Sequence, residues 1–203
     1  MFEILRSLYA DVDIDVKSGA QLLDKKLKEI IVAAINNGSF STASCIPIFT
    51  RFVHMRNKPT KRLTLTWLQE FSEKLVGSPL VVFLHLFLGG VFEMLADPNA
   101  TIRQDSLIFL ETILPQLLDN NDDFEDSEAS LYVDFDKILQ SLVTTMEHPD
   151  PFVRKVAMYW MSQIIQTHLV GANEKKISNE HITTASISVR NSLPHVLPGV
   201  LLR

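Results

Sequence analysis

Two segments of the sequence repeat one pattern, and this repetition constrains the fold more than any other feature. In Asp97–Arg103 and again in His148–Arg154, a turn containing proline is followed by a β-branched residue and an arginine. Proline is tolerated at such a position because the N–H groups in the first turn of a helix have no internal partner. The pattern therefore predicts two helices that begin in the same way, as copies of one unit.

The basic residue of this unit recurs along the chain. The marked residues are Lys17, Arg62, Arg103 and Arg154, and their spacings are 45, 41 and 51 residues. HEAT and armadillo units recur every ~40–47 residues, and the last interval is longer because an acidic loop, 120–130, is inserted in it. The spacing predicts an all-α, HEAT/armadillo-like α-solenoid of about four helix pairs plus an unpaired C-terminal helix.

Each marked helix carries apolar residues at helical spacing, which places them on one face. The four stripes are Val16, Ala20, Leu23, Leu27 and Ile31; Leu63, Trp67, Phe71 and Leu75; Ile102, Ser106, Phe109 or Leu110, and Ile113; and Val153, Ala157, Trp160 or Met161, and Ile164. Trp67 and Trp160, which with Asp97 are further markers of the repeat, could anchor an interface, where aromatic residues are enriched. Because both lie on a stripe, we favour core packing for them.

A partner helix is predicted before each marked helix, and a helix pair buries its faces only by stacking on its neighbours. The predicted partners are Phe2–Tyr9, Ser41–Met55, Pro79–Leu95, Leu131–Glu147 and Ser186 to the end. The resulting repeats are approximately 1–35, 39–76, 79–118 and 131–170, with a partial repeat at 182–203. Both chain ends fall within apolar helices, so we expect a fragment of a longer solenoid.

Composition argues against several classes of protein. The formal charge of −5 opposes sequence-independent nucleic-acid binding, which requires many cations. The single cysteine, Cys45, and the lack of a leader-like N-terminus favour the cytosol. The apolar run 80–92 is short for a membrane span, which needs roughly 20 residues, and is interpreted as a buried core helix.

No pattern for catalysis or cofactor binding is present. The sequence has no glycine-rich phosphate loop, HExxH motif, paired CxxC or nucleophile elbow, and its six histidines lack metal-ligand spacing. We therefore expect a protein that is not an enzyme and needs no cofactor or metal. The alternative is a helical enzyme or regulatory domain with a pocket at His85, although a core histidine is the favoured interpretation. The acidic loop lacks the ligand spacing of a calcium site.

Charge is unevenly distributed. No acidic residue occurs between Ile30 and Gln69, and this stretch contains the basic residues Arg51, Arg56, Lys58, Lys61 and Arg62. These five form a candidate interaction surface for anionic lipid or for an acidic partner. A solvated turn between helices is the simpler interpretation, and the sequence alone favours it.

Several blocks of sequence are similar to one family. Residues 15–30 (Asp-Val-Lys-Ser-Gly-Ala-Gln-Leu-Leu-Asp-Lys-Lys-Leu-Lys-Glu-Ile) resemble the signature segment of the vacuolar scaffold family called Vac-fourteen in yeast and ArPIKfyve in animals. The resemblance continues through Leu65–Leu68, Gly90–Asp97 with Ile102 and Arg103, and Ala157–Met161 with Ile165 and Gln166. It covers about residues 1–170 and, more weakly, 186–203. The acidic loop departs from the family pattern.

The resemblance implies a non-catalytic scaffold that binds a PIKfyve-type phosphatidylinositol 3-phosphate 5-kinase and a Sac-domain phosphoinositide phosphatase. Such a protein would control phosphatidylinositol 3,5-bisphosphate and would lie peripherally on endosomal, lysosomal or vacuolar membranes. In that family self-association and phosphatase binding belong to a region C-terminal to this chain. The alternative with the same fold is a HEAT-repeat adaptor of another trafficking or transport system.

Overall fold

The computed structural model describes residues 2–119 and 133–167, and this part of the chain is helical throughout, with no strand. The helices are α1 (Phe2–Tyr9), α2 (Ile14–Asn36), α3 (Ile46–Phe52), α4 (Lys58–Lys74), α5 (Leu88–Met94), α6 (Ala100–Asp119), α7 (Phe135–Thr145) and α8 (Pro151–Ile165). Short 3-10 helices, Thr42–Ser44 and Val81–Leu86, precede α3 and α5. The acidic loop, the partial repeat and the predicted C-terminal helix lie outside the described residues.

Polar side chains fix where several helices begin. Asp13, Asn57, Asp134 and Asp150 each precede a helix, and each accepts hydrogen bonds from backbone N–H groups of the first turn. Those N–H groups have no partner inside the helix, so a side-chain cap of this kind stabilises a helix by ~1 kcal/mol. As the sequence predicts, the turn before α8 leads directly into a helix, with Asp150 as its cap and Pro151 in its first turn.

The helices form four pairs in the described part of the chain, and the pairs stack. In each pair the two helices are in contact: α1 with α2, α3 with α4, α5 with α6, and α7 with α8. Successive pairs meet through α2 with α4, through α4 with α6, and through α5 with both α7 and α8. This arrangement confirms the predicted α-solenoid.

Aromatic side chains fill the space between the pairs. The Phe2 ring lies 5.2 Å from that of Phe52 and 5.4 Å from that of Trp67, which joins the first pair to the second. Further along, Phe92 meets Trp160 edge to face at 5.6 Å. Such contacts contribute about 0.5–1.5 kcal/mol each beyond the area they bury. Both tryptophans are therefore core residues, and every member of the stripes predicted on α4, α6 and α8 is buried.

The stripe predicted on α2 is partly wrong. Leu23 is 41% exposed, whereas the buried residues of α2 are Ala20, Asp24, Lys28 and Val32. The face of α2 that contains Asp24 is turned toward α4, because Thr66 and Trp67 on α4 provide hydrogen-bonding groups at this position. An apolar pattern alone could not reveal this rotation.

The segment predicted as one partner helix, Pro79–Leu95, is instead divided. A 3-10 helix, Val81–Leu86, is followed by α5, and at Phe87 between them the backbone has φ −132° and ψ −6°. Much of the apolar run is buried as expected. The chain passes so close to the end of α3 here that a Cβ added at Gly90 would lie 2.6 Å from Val53 Cγ2. The partner predicted at Ser41–Met55 is likewise shorter, with α3 limited to Ile46–Phe52.

Among the described residues, none of the helices combines the length and the apolar character required to cross a bilayer.

Candidate interaction surface

A buried polar cluster joins the first helix pair to the second. The Asp24 carboxylate accepts a hydrogen bond from Trp67 Nε1 at 2.6 Å, and Lys28 Nζ lies 3.0 Å from its other oxygen. Lys28 also donates to Thr66 Oγ1 at 3.0 Å and lies over the Trp67 ring. Both charged side chains are nearly buried, so each needs the other to offset the loss of solvation.

Tyr9 completes this cluster from α1. Its hydroxyl donates to Asp24 Oδ2 at 3.3 Å. Burial and the neighbouring Asp24 carboxylate raise the pKa of Tyr9 to about 12, because both disfavour a second negative charge at this place. The cluster therefore holds three elements, α1, α2 and α4, in one arrangement.

A second polar junction joins the second and third pairs. Lys61 on α4 donates to Asp97 Oδ2 in the turn before α6, and the Asn99 N–H donates to Asp97 Oδ1 at 2.8 Å. Burial by itself would raise the pKa of Asp97, but these two bonds and the charges of Lys61 and Arg103 together outweigh burial and hold that pKa below its ordinary value. Lys61 thus serves as a tie between repeats.

Arg103 and Arg154 make the same bonds in two copies of the unit. Arg103 donates to the carbonyls of Asp97 and Pro98, and Arg154 donates to those of His148 and Pro149. Each arginine thereby ties the preceding turn to the first turn of its own helix. Within the described residues, the other two markers, Lys17 and Arg62, make no comparable bond.

The five basic residues of the candidate surface divide into two groups. Arg51 lies at the end of α3, where it pairs with Glu3 at 2.9 Å and packs over the Phe52 ring. Lys61 is held by Asp97. Both cations therefore have an acidic partner within the chain, although the Arg51 side chain is 63% exposed and only Lys61 is largely buried.

The other three, Arg56, Lys58 and Arg62, are exposed. Arg56 lies in the turn between α3 and α4, Lys58 is the first residue of α4, and Arg62 follows it by one helical turn. In the described part of the chain, none of the three makes a hydrogen bond or an ion pair. These three side chains, which we call the basic turn, are the members of the candidate surface that have no acidic partner among the described residues.

His85 lies on the 3-10 helix Val81–Leu86, against α7. Its Nδ1 is buried without a hydrogen-bond partner among the described residues. Burial lowers the pKa of His85 below its ordinary value, although the nearby Asp134 carboxylate opposes this shift. No group of three or more potential metal ligands forms in the described part of the chain. A cavity of about 310 Å³ between α5 and α7 is lined by residues that include Ser141 and His148, but not His85.

Sequence reasoning missed Asp24 and Lys28, the charged pair at the centre of the first junction. One signal was available, because an Asp and a Lys four residues apart lie on one side of a helix and can pair. Both residues fall within 15–30, the first block of family resemblance, and their partners Thr66 and Trp67 fall within the second. The two blocks therefore pack against each other.

The later blocks are also in contact. Phe92, from the block 90–97, packs against Trp160, from the block 157–161. The side chains on either side of Trp160 in that block, Tyr159 and Met161, differ: Tyr159 is exposed and Met161 is buried. Residues from four of the blocks thus take part in contacts between one helix pair and the next.

Comparison with characterised proteins gives a consistent set of relatives. A VAC14 homolog of Arabidopsis thaliana is 27% identical over 166 residues, which cover 82% of this chain and 20% of the relative. Vacuole morphology and inheritance protein 14 of Saccharomyces cerevisiae is 24% identical over 152 residues, covering 58% of the chain and 17% of the relative. A VAC14 homolog of Schizosaccharomyces pombe is 21% identical over 241 residues, covering 81% of the chain and 30% of the relative.

No family model matches the chain, and the chain spans less than a third of the length of each of these relatives. The matches nevertheless come from a plant and two yeasts, and all three relatives are Vac14 proteins. The chain is similar to Vac14 proteins of a plant and two yeasts, and these similarities support a relationship to the Vac14 family.

Proposed function

We propose that this chain is part of a non-catalytic scaffold that assembles a PIKfyve-type phosphatidylinositol 3-phosphate 5-kinase with a Sac-domain phosphatase. Through these partners it would control the synthesis and turnover of phosphatidylinositol 3,5-bisphosphate. The scaffold would lie peripherally on endosomal, lysosomal or vacuolar membranes. The observation that carries this proposal is the similarity to Vac14 proteins, one of which is named for vacuole morphology and inheritance.

The fold supports a scaffold because stacked helix pairs expose a long continuous surface. A protein that holds two enzymes on such a surface raises their effective concentration toward each other, without any chemistry of its own. The polar junctions at Asp24 and Asp97 fix neighbouring pairs relative to one another. A surface that is held in one shape can position two partners reproducibly.

The experiment that tests the proposal is affinity purification of this chain from a lysate of its own organism at physiological salt. The proposal expects recovery of a PIKfyve-type kinase. A HEAT segment of similar size and net charge from a transport receptor is the matched control, and it should recover no such kinase. Recovery of transport or coat proteins alone would favour the adaptor alternative, and absence of the kinase would contradict a kinase contact within these repeats.

The enzyme alternative is tested in parallel with the purified chain. If His85 served catalysis, a turnover measurable with the wild-type chain would be lost in His85→Ala while the helical circular dichroism signal stayed unchanged. The scaffold proposal expects that the chain has no turnover on phosphoinositides and that the phosphate-transfer activity of the recovered complex depends on the kinase.

A further inference from the structure

The basic turn is a positive patch on a protein whose formal charge is −5. Two neighbouring cations, Arg51 and Lys61, pair with the acidic residues Glu3 and Asp97. The exposed side chains of Arg56, Lys58 and Arg62 make no hydrogen bond or ion pair with a described residue. We propose that Arg56, Lys58 and Arg62 form a docking site for an acidic segment of a partner protein. This inference rests on the proposed function, because a scaffold acts through such surfaces.

The position of these cations on α4 is unfavourable for the isolated helix. The first turn of α4 carries Lys58 and no acidic residue, and its other cation, Lys61, is paired with Asp97. The amino end of a helix carries partial positive charge, so a cation there is electrostatically unfavourable. Lys58 and Arg62 are also like charges four residues apart on one side of the helix, so they repel each other. A bound anion would relieve both costs.

The surroundings limit what kind of anion fits. Helices α2 and α4 run side by side in the same direction, since Asp24 meets Trp67 near their middle and Asn36 meets Lys74 near their ends. Their amino ends therefore lie on one edge of the solenoid. The segment that leads into the neighbouring helix α2 is acidic, with Asp11 and Asp13 before the helix and Asp15 in its first turn.

A flat anionic membrane laid on this edge would meet both turns, because packed helices lie only about 8–10 Å apart. It would gain from the basic turn and lose at the acidic one. A narrow peptide segment can contact the basic turn alone and avoid the acidic turn. The acidic turn beside the basic turn therefore favours a narrow acidic protein segment over a lipid surface as the ligand. Because the chain is negative overall, such a segment would be attracted to the basic turn and repelled by the acidic turn beside it.

The test measures binding of a defined probe, a fluorescein-labelled peptide with six consecutive glutamates, to the whole chain by fluorescence anisotropy. We expect binding at about 50 mM salt that weakens strongly at about 300 mM, because exposed charges are screened over shorter distances. The same peptide with glutamine in place of glutamate should not bind. Arg56→Gln, Lys58→Gln and Arg62→Gln together should weaken binding roughly tenfold or more, since three exposed charge pairs are lost.

A matched control removes the same number of charges elsewhere. The control variant carries Lys25→Gln, Lys26→Gln and Lys155→Gln, which are exposed positions on α2 and α8. It has the same net charge as the site variant, and it should bind the glutamate peptide within about twofold of the wild-type chain. Equal loss in both variants would mean that only overall charge matters, and the proposal would be wrong.

Other outcomes would also overturn the inference. If the glutamate peptide does not bind, while vesicles with anionic lipid do bind and release the site variant, the basic turn is a membrane contact. The proposed function fails separately from this inference. If the site variant recovers the lipid kinase as well as the wild-type chain does, the scaffold proposal holds and the docking proposal is wrong. If the peptide binds but no kinase is recovered, the docking proposal holds and a kinase contact within these repeats is contradicted.

Discussion

The Asp24 carboxylate accepts a hydrogen bond from the Trp67 indole N–H at 2.6 Å, across the boundary between the first and second helix pairs. The other Asp24 oxygen meets Lys28 and Tyr9. One buried charge on α2 therefore fixes how α1, α2 and α4 are placed. A buried charge is stable only when it is paired and hydrogen-bonded, so the partners depend on one another.

Replacing Asp24 with alanine should destabilise the chain strongly. Lys28 would remain nearly buried without its counter-charge, and Trp67 Nε1 would lose its acceptor. Removing one partner of a buried ion pair typically costs about 3–5 kcal/mol. Urea unfolding followed by circular dichroism measures this change in the free energy of unfolding.

The control for this prediction is Glu29→Ala on the same helix. Glu29 pairs with Lys26 at 2.8 Å, but both side chains are exposed, so its loss should change the free energy of unfolding far less than the loss of Asp24. Replacing Asp24 and Lys28 together with leucine should recover part of the stability, because no unpaired charge is then left. A loss no larger for Asp24→Ala than for Glu29→Ala would mean that water reaches the Asp24 site.

The repeat architecture could be predicted from the sequence because it depends on spacing. The proline turns before α6 and α8 and the apolar stripes on α4, α6 and α8 all follow from local rules that tertiary contacts do not override. The Arg103 and Arg154 bonds to their own preceding turns are local as well. Residues close in sequence determine these features.

The contacts between helix pairs could not be predicted in the same way. The rotation of α2 that buries Asp24 depends on Trp67, which is 43 residues away. The close approach of Gly90 on α5 to Val53 at the end of α3 also joins two different helix pairs. The division of the basic stretch depends on Glu3 and Asp97, from the neighbouring repeats. Only the packing of one pair on the next determines such features.

The Tyr9 hydroxyl should titrate late. Its pKa is about 12 instead of the ordinary 10.0, because burial and Asp24 disfavour the phenolate. In a background with Tyr132→Phe and Tyr159→Phe, which removes the other two tyrosines, the phenolate absorbance near 295 nm should appear with a midpoint of about 12. Asp24→Asn should lower this midpoint, because the negative neighbour is gone.

The raised pKa of Tyr9 also determines how the stability of the folded chain changes with pH. The folded chain holds the Tyr9 proton more tightly than the unfolded chain, so this contribution is complete below pH 10.0 and is lost as the pH rises toward about 12. Denaturation curves across this range should show the loss, and Tyr9→Phe should be less sensitive to pH. A midpoint near 10.0 in the folded chain would contradict the bond to Asp24.

Neighbouring glycines on α5 should respond to alanine in opposite directions. At Gly90 a Cβ would lie 2.6 Å from Val53 Cγ2, so Gly90→Ala should cost about 1–3 kcal/mol through overpacking. At Gly89 the nearest atom, Ser141 Oγ, would be 3.4 Å away, so Gly89→Ala should be neutral or stabilising by up to ~1 kcal/mol. Thermal unfolding of the two variants compares them directly.

The variant Val53→Ala tests whether a clash with Val53 causes the predicted loss of stability in Gly90→Ala. If the clash with Val53 explains the loss, adding Gly90→Ala to a Val53→Ala chain should cost much less than adding it to the wild-type chain. Equal costs in the two backgrounds would place the clash elsewhere, for example at His54, whose ring also approaches this position.

Trp160 should be the costliest aromatic side chain on α8 to remove. It is 1% exposed and packs edge to face on Phe92, whereas the adjacent Tyr159 is 56% exposed. Trp160→Ala should lower the free energy of unfolding by about 3–5 kcal/mol, because it leaves a cavity between the third and fourth pairs. Tyr159→Ala, one position away on the same helix, should change it by no more than about 0.5 kcal/mol. Urea denaturation measures both, and similar costs for the two variants would mean that α8 is rotated relative to α5.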